Sequence, residues 1–250
     1  MRGWWTLTRR ELGGFFLSLR GYIIIAAAVF MMGYSFVVLL VNLQKEPTPM
    51  PVTEVFYNTQ FFWLILLLTT PVITMRLFAH EKFSGTFETL MTTPVTDGQV
   101  VLAKFTAAMV FYALMWLPLL SCLFIVRHYT YEAAGFDPGT IGSTYLGILL
   151  LGGLFVSLGC CASALTRSQG IAAMISLAFG ASVFMLAYIA DQLPAHAGWQ
   201  TQALACFAFF DQMRDFVRGV VDTRPVVLLV SLSMLFLFLT LRVVESRRWK

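Results

Sequence analysis

Six long apolar runs govern what this chain can become. They lie at about residues 21–43, 58–79, 101–126, 141–165, 169–190 and 226–242, and each suffices to cross a ~30 Å hydrocarbon layer as a helix rising about 1.5 Å per residue. Stretches such as GYIIIAAAVFMMGYSFVVLLV and VVLLVSLSMLFLFLTL are continuously apolar, without the alternation that marks the strands of a membrane β-barrel. Composition agrees. Only 12% of the residues are charged, against about 25% in soluble domains. The expected fold is therefore an all-α membrane protein with six transmembrane helices. The first run is read as an uncleaved span, because about twenty residues precede it and it exceeds the 7 to 15 residues of a signal-peptide core.

Lys and Arg set the expected orientation, since loops rich in them stay cytoplasmic. With the N-terminus inside, twelve of the seventeen basic residues fall on the inner side and five (Lys45, Arg127, Arg214, Arg218, Arg224) on the outer. Both termini are expected in the cytoplasm. The net charge of +4 then reflects topology and contact with anionic membrane lipid, and gives no reason to invoke nucleic acid. Cys122, Cys160, Cys161 and Cys206 lie in or near apolar runs without C-x-x-C spacing, which suits small packing residues better than a disulfide framework or a metal site.

Three segments outside the spans carry a pattern. Residues 2–20 read as an interfacial helix, with Trp4, Trp5, Leu12, Phe15, Phe16 and Leu19 within roughly 120° of one another and arginines at the border. Residues 191–225 form an extracytoplasmic helical link: Phe209, Met213, Phe216 and Val220 recur at helical spacing opposite Asp211, Asp215, Arg218 and Asp222, which predicts a helix over 207–222, lying on the outer leaflet or folded partly back onto the protein. Pro225 suits the first turn of the last span. Between the second and third spans, EKFSGTFETLMTTPVTDGQ (residues 81–99) sets an apolar stripe of Phe83, Phe87 and Leu90 or Met91 against Glu81, Ser84 and Glu88. Pro94 is expected to end this element, and Thr96 with Gln99 reads as a capping box opening the third span. Within the spans, Gly153, Ser157 and Cys161, and likewise Ala172, Ser176 and Gly180, recur every four residues, the spacing that lets helices approach closely. Pro71 and Pro118 are expected to kink their spans.

Several chemistries lack their residues. Arg76, Lys104, Arg127, Arg167, Asp191 and Arg242 sit near predicted span ends, where long side chains snorkel to the interface, so a carrier built on buried coupling charges is disfavoured. His80, His128 and His196 lie in loops or at span ends, which disfavours an intramembrane serine protease. Neither an H-E-x-x-H site nor a G-x-x-x-x-G-K-[ST] phosphate loop occurs. No cofactor is expected in this chain, and ATP-driven work would need a nucleotide-binding partner.

The pattern E-K-x-S-G-T-x-E-x-L-x-T-x-P-V at residues 81–95 resembles the ABC-2 type permeases, the membrane subunits of ABC exporters. Residues 218–224, Arg-Gly-Val-Val-Asp-Thr-Arg, look like the gliding-motility and nitrous-oxide-reductase-associated group. The resemblance covers essentially the whole chain as a single permease domain, residues 1–250. It implies a half-transporter in the bacterial inner membrane that dimerises with an identical or paralogous permease and pairs with two ABC ATPase subunits, which hold the ATP and Mg. By that resemblance residues 81–98 form the cytoplasmic coupling segment, with Glu81, Ser84, Gly85, Thr86, Phe87, Glu88 and Leu90 docking into the ATPase. A scaffold protein that binds a partner through the same loops, and a stand-alone channel, are the alternatives.

Overall fold

The computed structural model describes residues 2–45, 54, 56, 57, 59–86, 95–129, 138–192 and 207–246. These residues form helices and no strand. In chain order the helices are α1 (Arg2–Phe16), α2 (Leu19–Lys45), α3 (Gln60–Thr74), α4 (Ala79–Ser84), α5 (Asp97–Tyr129), α6 (Pro138–Leu165), α7 (Gln169–Gln192), α8 (Phe209–Val217) and α9 (Thr223–Ser246). Six segments are long and apolar enough to cross a membrane: Leu19–Val41, Phe61–Ser84, Asp97–Ile125, Pro138–Leu165, Gln169–Gln192 and Thr223–Ser246. Every expected span is present, with ends displaced by up to five residues.

The bundle is built around α6, whose most apolar stretch is 83% buried against 28% for α2, 22% for α7 and 17% for α9. Helix α6 touches α3, α5, α7, α8 and α9, which its small side chains permit. A Cβ on Gly152 would lie 2.1 Å from the Tyr112 ring, and one on Gly159 would lie 2.1 Å from Thr74 Oγ1. At these two glycines the third and second spans fill the missing side chain's place, a closeness that van der Waals packing between membrane helices requires. Helices α5 and α6 run antiparallel, since Tyr145 donates to the Ala113 carbonyl (2.6 Å) and Tyr112 to that of Ile148 (3.4 Å). Of the residues spaced by four, Gly153, Ser157 and Cys161 are buried in α6 and Ala172, Ser176 and Gly180 in α7. A Cβ on Gly180 would meet Leu67 and Phe155 at 3.1 and 3.2 Å, whereas one on Gly153 would find nothing nearer than 3.8 Å.

At the end of the bundle away from α1, the link before the last span folds back onto the protein. Phe209, Met213, Phe216 and Val217 are buried, with Met213 and Phe216 seated over Gly147, and Ser143 donates to the Phe216 carbonyl at 2.6 Å. The helix is shorter than the 207–222 expected from periodicity. Gly219 adopts φ 90°, and the amides of Val220 and Gly219 return to the carbonyls of Asp215 (2.9 Å) and Phe216 (3.2 Å), the paired bonds of a Schellman stop. Val220, assigned to the apolar stripe, is consequently exposed. Arg218 reaches instead to Glu54, with Nε at 3.0 Å and a terminal nitrogen at 2.6 Å from one carboxylate oxygen. That hydrogen bond and charge hold Arg218 above its ordinary pKa. Asp222 accepts the Arg224 amide at 3.2 Å, capping α9, and Pro225 sits in the first turn of α9 as expected.

Close contact at Gly159 predicts a sharp asymmetry between glycines. Gly159→Val should destabilise the detergent-solubilised protein by at least the ~1–3 kcal/mol of core overpacking, read as a lower unfolding temperature. Gly170→Ala, where a Cβ meets nothing within 4 Å, should leave it unchanged or slightly raised.

Candidate coupling site

The second span does not run smoothly into the loop that follows it. Helix α3 stops at Thr74 and the chain turns before resuming as the short α4. Buried Ser163, from the far end of α6, fits into this turn: its Oγ accepts the amides of Phe78 and Ala79, both at 3.1 Å, and donates to the Met75 carbonyl at 3.2 Å. One hydroxyl thus satisfies two of the amides that the start of any helix leaves unpaired. Lys82 donates to the Ala164 carbonyl, and Gln169 of α7 pairs with His80 Nδ1 at 2.9 Å. Helix α4 is tied to both sides of the α6–α7 turn.

On its other side α4 enters a knot of four charges. Lys104 of α5 is 1% exposed, and its Nζ lies 2.9 Å from Glu81 Oε1 and 3.2 Å from Glu11 Oε1. Arg10 contacts the same two oxygens at 3.1 and 2.8 Å. Two cations and two carboxylates therefore cancel, joining α1, α4 and α5 at one point, with the Phe78 ring 5.4 Å from the ammonium. Burial acts to lower the Arg10 pKa, but its hydrogen bond to Glu11 and the charges of Glu11 and Glu81 prevail and raise it. A lone ammonium here would carry a desolvation penalty of several kcal/mol. The pairing is what allows Lys104 to be buried at all.

Helix α1 lies along α5 beside this knot. Phe15 stacks on Phe111 at 4.8 Å, Thr8 Oγ1 is 3.4 Å from Thr106 Oγ1, and Leu7 and Thr8 are buried. The aromatic face read from the sequence divides: Trp4, Leu12, Phe15 and Phe16 are half-buried against the protein, while Trp5 and Leu19 stay exposed. Lys104, expected to snorkel outwards, instead points into the contact of three segments, which corrects the expectation that no buried charge is present. The docking residues divide too. Glu81 is turned inward and 14% exposed at its side chain, whereas Phe83, Ser84, Gly85 and Thr86 are exposed. The element's outward face is thus carried by Phe83 and its polar Glu81 side faces the bundle, the reverse of a simple amphipathic helix. Gly85, at φ 72°, closes α4; Phe87, Glu88 and Leu90, and Pro94, expected to end the element, lie outside the described residues. The capping box is formed on one side, Gln99 Oε1 accepting the Thr96 amide at 3.5 Å.

Residues 41–243 match the family model described as ABC-2 family transporter protein. The chain belongs to the ABC-2 transporter family. No protein of curated function matches its sequence. As an ABC-2 permease it is a membrane transport subunit and not itself a catalyst, and the match spans α3 to α8 and nearly all of α9 while leaving out α1.

The knot of this permease predicts an unusual order of stabilities. Lys104→Met alone leaves two half-buried carboxylates facing one another with only Arg10 between them, a loss of up to about 3–5 kcal/mol by analogy with other broken buried pairs. The triple variant Glu11→Gln, Glu81→Gln, Lys104→Met removes charge from both sides and should unfold at a higher temperature than Lys104→Met. The opposite order would mean that the four groups are not coupled.

Proposed function

We propose that this permease is the membrane half of an ATP-driven exporter, working as a dimer with an identical or paralogous permease and driven by two separate ABC ATPase subunits. The observation that supports this most is the two-sided character of α4. One side is held by Ser163, Gln169, Lys104 and Arg10, while Phe83, Ser84, Gly85 and Thr86 are exposed at its far end. An element of this kind transmits a push on its exposed end into α1, α5, α6 and α7 together. Glu81 acts as its inner anchor, and Ser84 to Thr86 together with Phe87, Glu88 and Leu90 supply the contact with the ATPase, which holds ATP and Mg. The likeness of residues 218–224 to the gliding-motility and nitrous-oxide-reductase-associated permeases belongs to the same proposal, as does a bacterial inner-membrane location with both termini in the cytoplasm.

The paired substitution Phe87→Ala, Glu88→Ala should leave membrane insertion and dimerisation intact. Partner binding should fall tenfold for each ~1.4 kcal/mol lost, and truncating a central contact can remove more than ~2 kcal/mol. Pull-down of the ATPase, followed by hydrolysis and transport assays on the reconstituted complex, reads this directly; unchanged binding and transport would leave the segment a connector and favour a scaffold. Topology has its own measurement. In a background without native cysteines, a membrane-impermeant thiol reagent applied to intact cells should label Val221→Cys and miss Ser84→Cys.

A further inference from the structure

Beside the charge knot, a cavity of about 470 Å³ opens between the end of α1, the start of α2 and the turn after α3, within the usual 300–1,000 Å³ of small-molecule sites. Its walls are of two kinds. Phe15, Ile24 and Val72 make one apolar, while the other carries the guanidinium groups of Arg20 and Arg76 beside the His80 imidazole. The charges of Arg20 and Arg76 act on each other and on His80, yet neither arginine has an ion pair among the described residues. Arg76 Nε is buried without a hydrogen-bond acceptor among the described residues. The carboxylates that also line the cavity, Glu11 and Glu81, direct their Oε1 atoms to Arg10 and Lys104, and Glu81 Oε2 is buried with no donor among the described residues. The knot is neutral, so the cavity carries the unbalanced charge of the two arginines. A ligand that completes it has an anionic acceptor for the arginines, a donor for Glu81 and a hydrocarbon portion.

We propose that this cavity binds one anionic glycerophospholipid with a hydroxylated headgroup, its phosphate between Arg20 and Arg76, a headgroup hydroxyl toward Glu81 Oε2, and an acyl chain running out along Ile24 and Val72. Basic pockets at span ends recognise anionic headgroups in this way, and the site lies where the segments Leu19–Val41 and Phe61–Ser84, both able to cross a membrane, reach one end of the bundle. Phosphatidylcholine carries a phosphate too, but its choline places a third cation beside the arginines and offers Glu81 no donor. The proposal rests on membrane embedding alone and is independent of ATP coupling.

The test uses the full-length protein in phosphatidylcholine nanodiscs, titrated with phosphatidylglycerol, with lipid retention read by native mass spectrometry. One phosphatidylglycerol should be retained per chain, and Arg20→Gln, Arg76→Gln should weaken retention at least tenfold, whereas Arg9→Gln, an exposed arginine of α1 outside the cavity, should not. A photoactivatable phosphatidylglycerol should crosslink the wild-type chain within residues 14–24 or 72–80, a readout independent of whether the double variant folds. Equal retention of phosphatidylcholine, undiminished binding by a folded double variant, or crosslinks confined to other segments would overturn the proposal. Equal occupancy by free glycerol phosphate at the same concentration would also overturn it, assigning the arginines to a soluble anion.

Discussion

A buried ammonium sets the terms for one whole end of this protein. Lys104 lies in the third span with 1% of its surface exposed, and a cation so placed persists only where carboxylates meet it. Those carboxylates come from α1, which also packs along α5 through Phe15 and Phe111, and from α4, which meets α5 at this turn through the ion pair. Arg10 closes the arrangement by neutralising the surplus carboxylate. Placement of the N-terminal helix, of the short helix after the second span and of the third span is thus one electrostatic problem with one solution. Ser163 then carries that solution across to α6, the helix around which the remaining spans pack.

The spans were legible in the sequence because hydrocarbon imposes a length and a composition that few other environments share. The points of closest helix approach were not. Spacing by four pointed to Gly153, but the closest approaches fall at Gly152 and Gly159, seven residues apart on one face of α6; a two-turn glycine spacing was the available signal. Lys104 looked like a snorkelling residue because its position in the chain is near a span end, and the groups that cover it are far away in sequence. The tie from Glu81 to α1 left no local trace for the same reason. Where a rule depends on adjacent residues it worked well, as with Pro225 in the first turn of α9. Where a fixed period was carried past a stop signal it failed: Gly219 ends α8 before Val220.

The two ends of the bundle solve similar problems with different means. Away from α1, residues 218–224 make a connector in which Arg218 anchors to Glu54, Gly219 reverses the chain and Asp222 caps α9. That gives Arg218, Gly219 and Asp222 structural roles. At the α1 end, contacts converge on a six-residue helix whose tip is left exposed. In the proposed transporter this difference is functional: one end is fastened, and the other offers a single element through which force enters α1, α5, α6 and α7.

Lys104 ties α1 to α4, and in the proposed transporter the two helices move as one body. Spin labels at Arg9 and Phe83, exposed positions on the two helices, report their separation by double electron–electron resonance in lipid nanodiscs. One narrow distance distribution is expected, keeping its mean and width when the ATPase complex is cycled through nucleotide states and broadening in Lys104→Met. A broad or bimodal distribution in the wild-type protein, or one indifferent to the loss of Lys104, would contradict that tie.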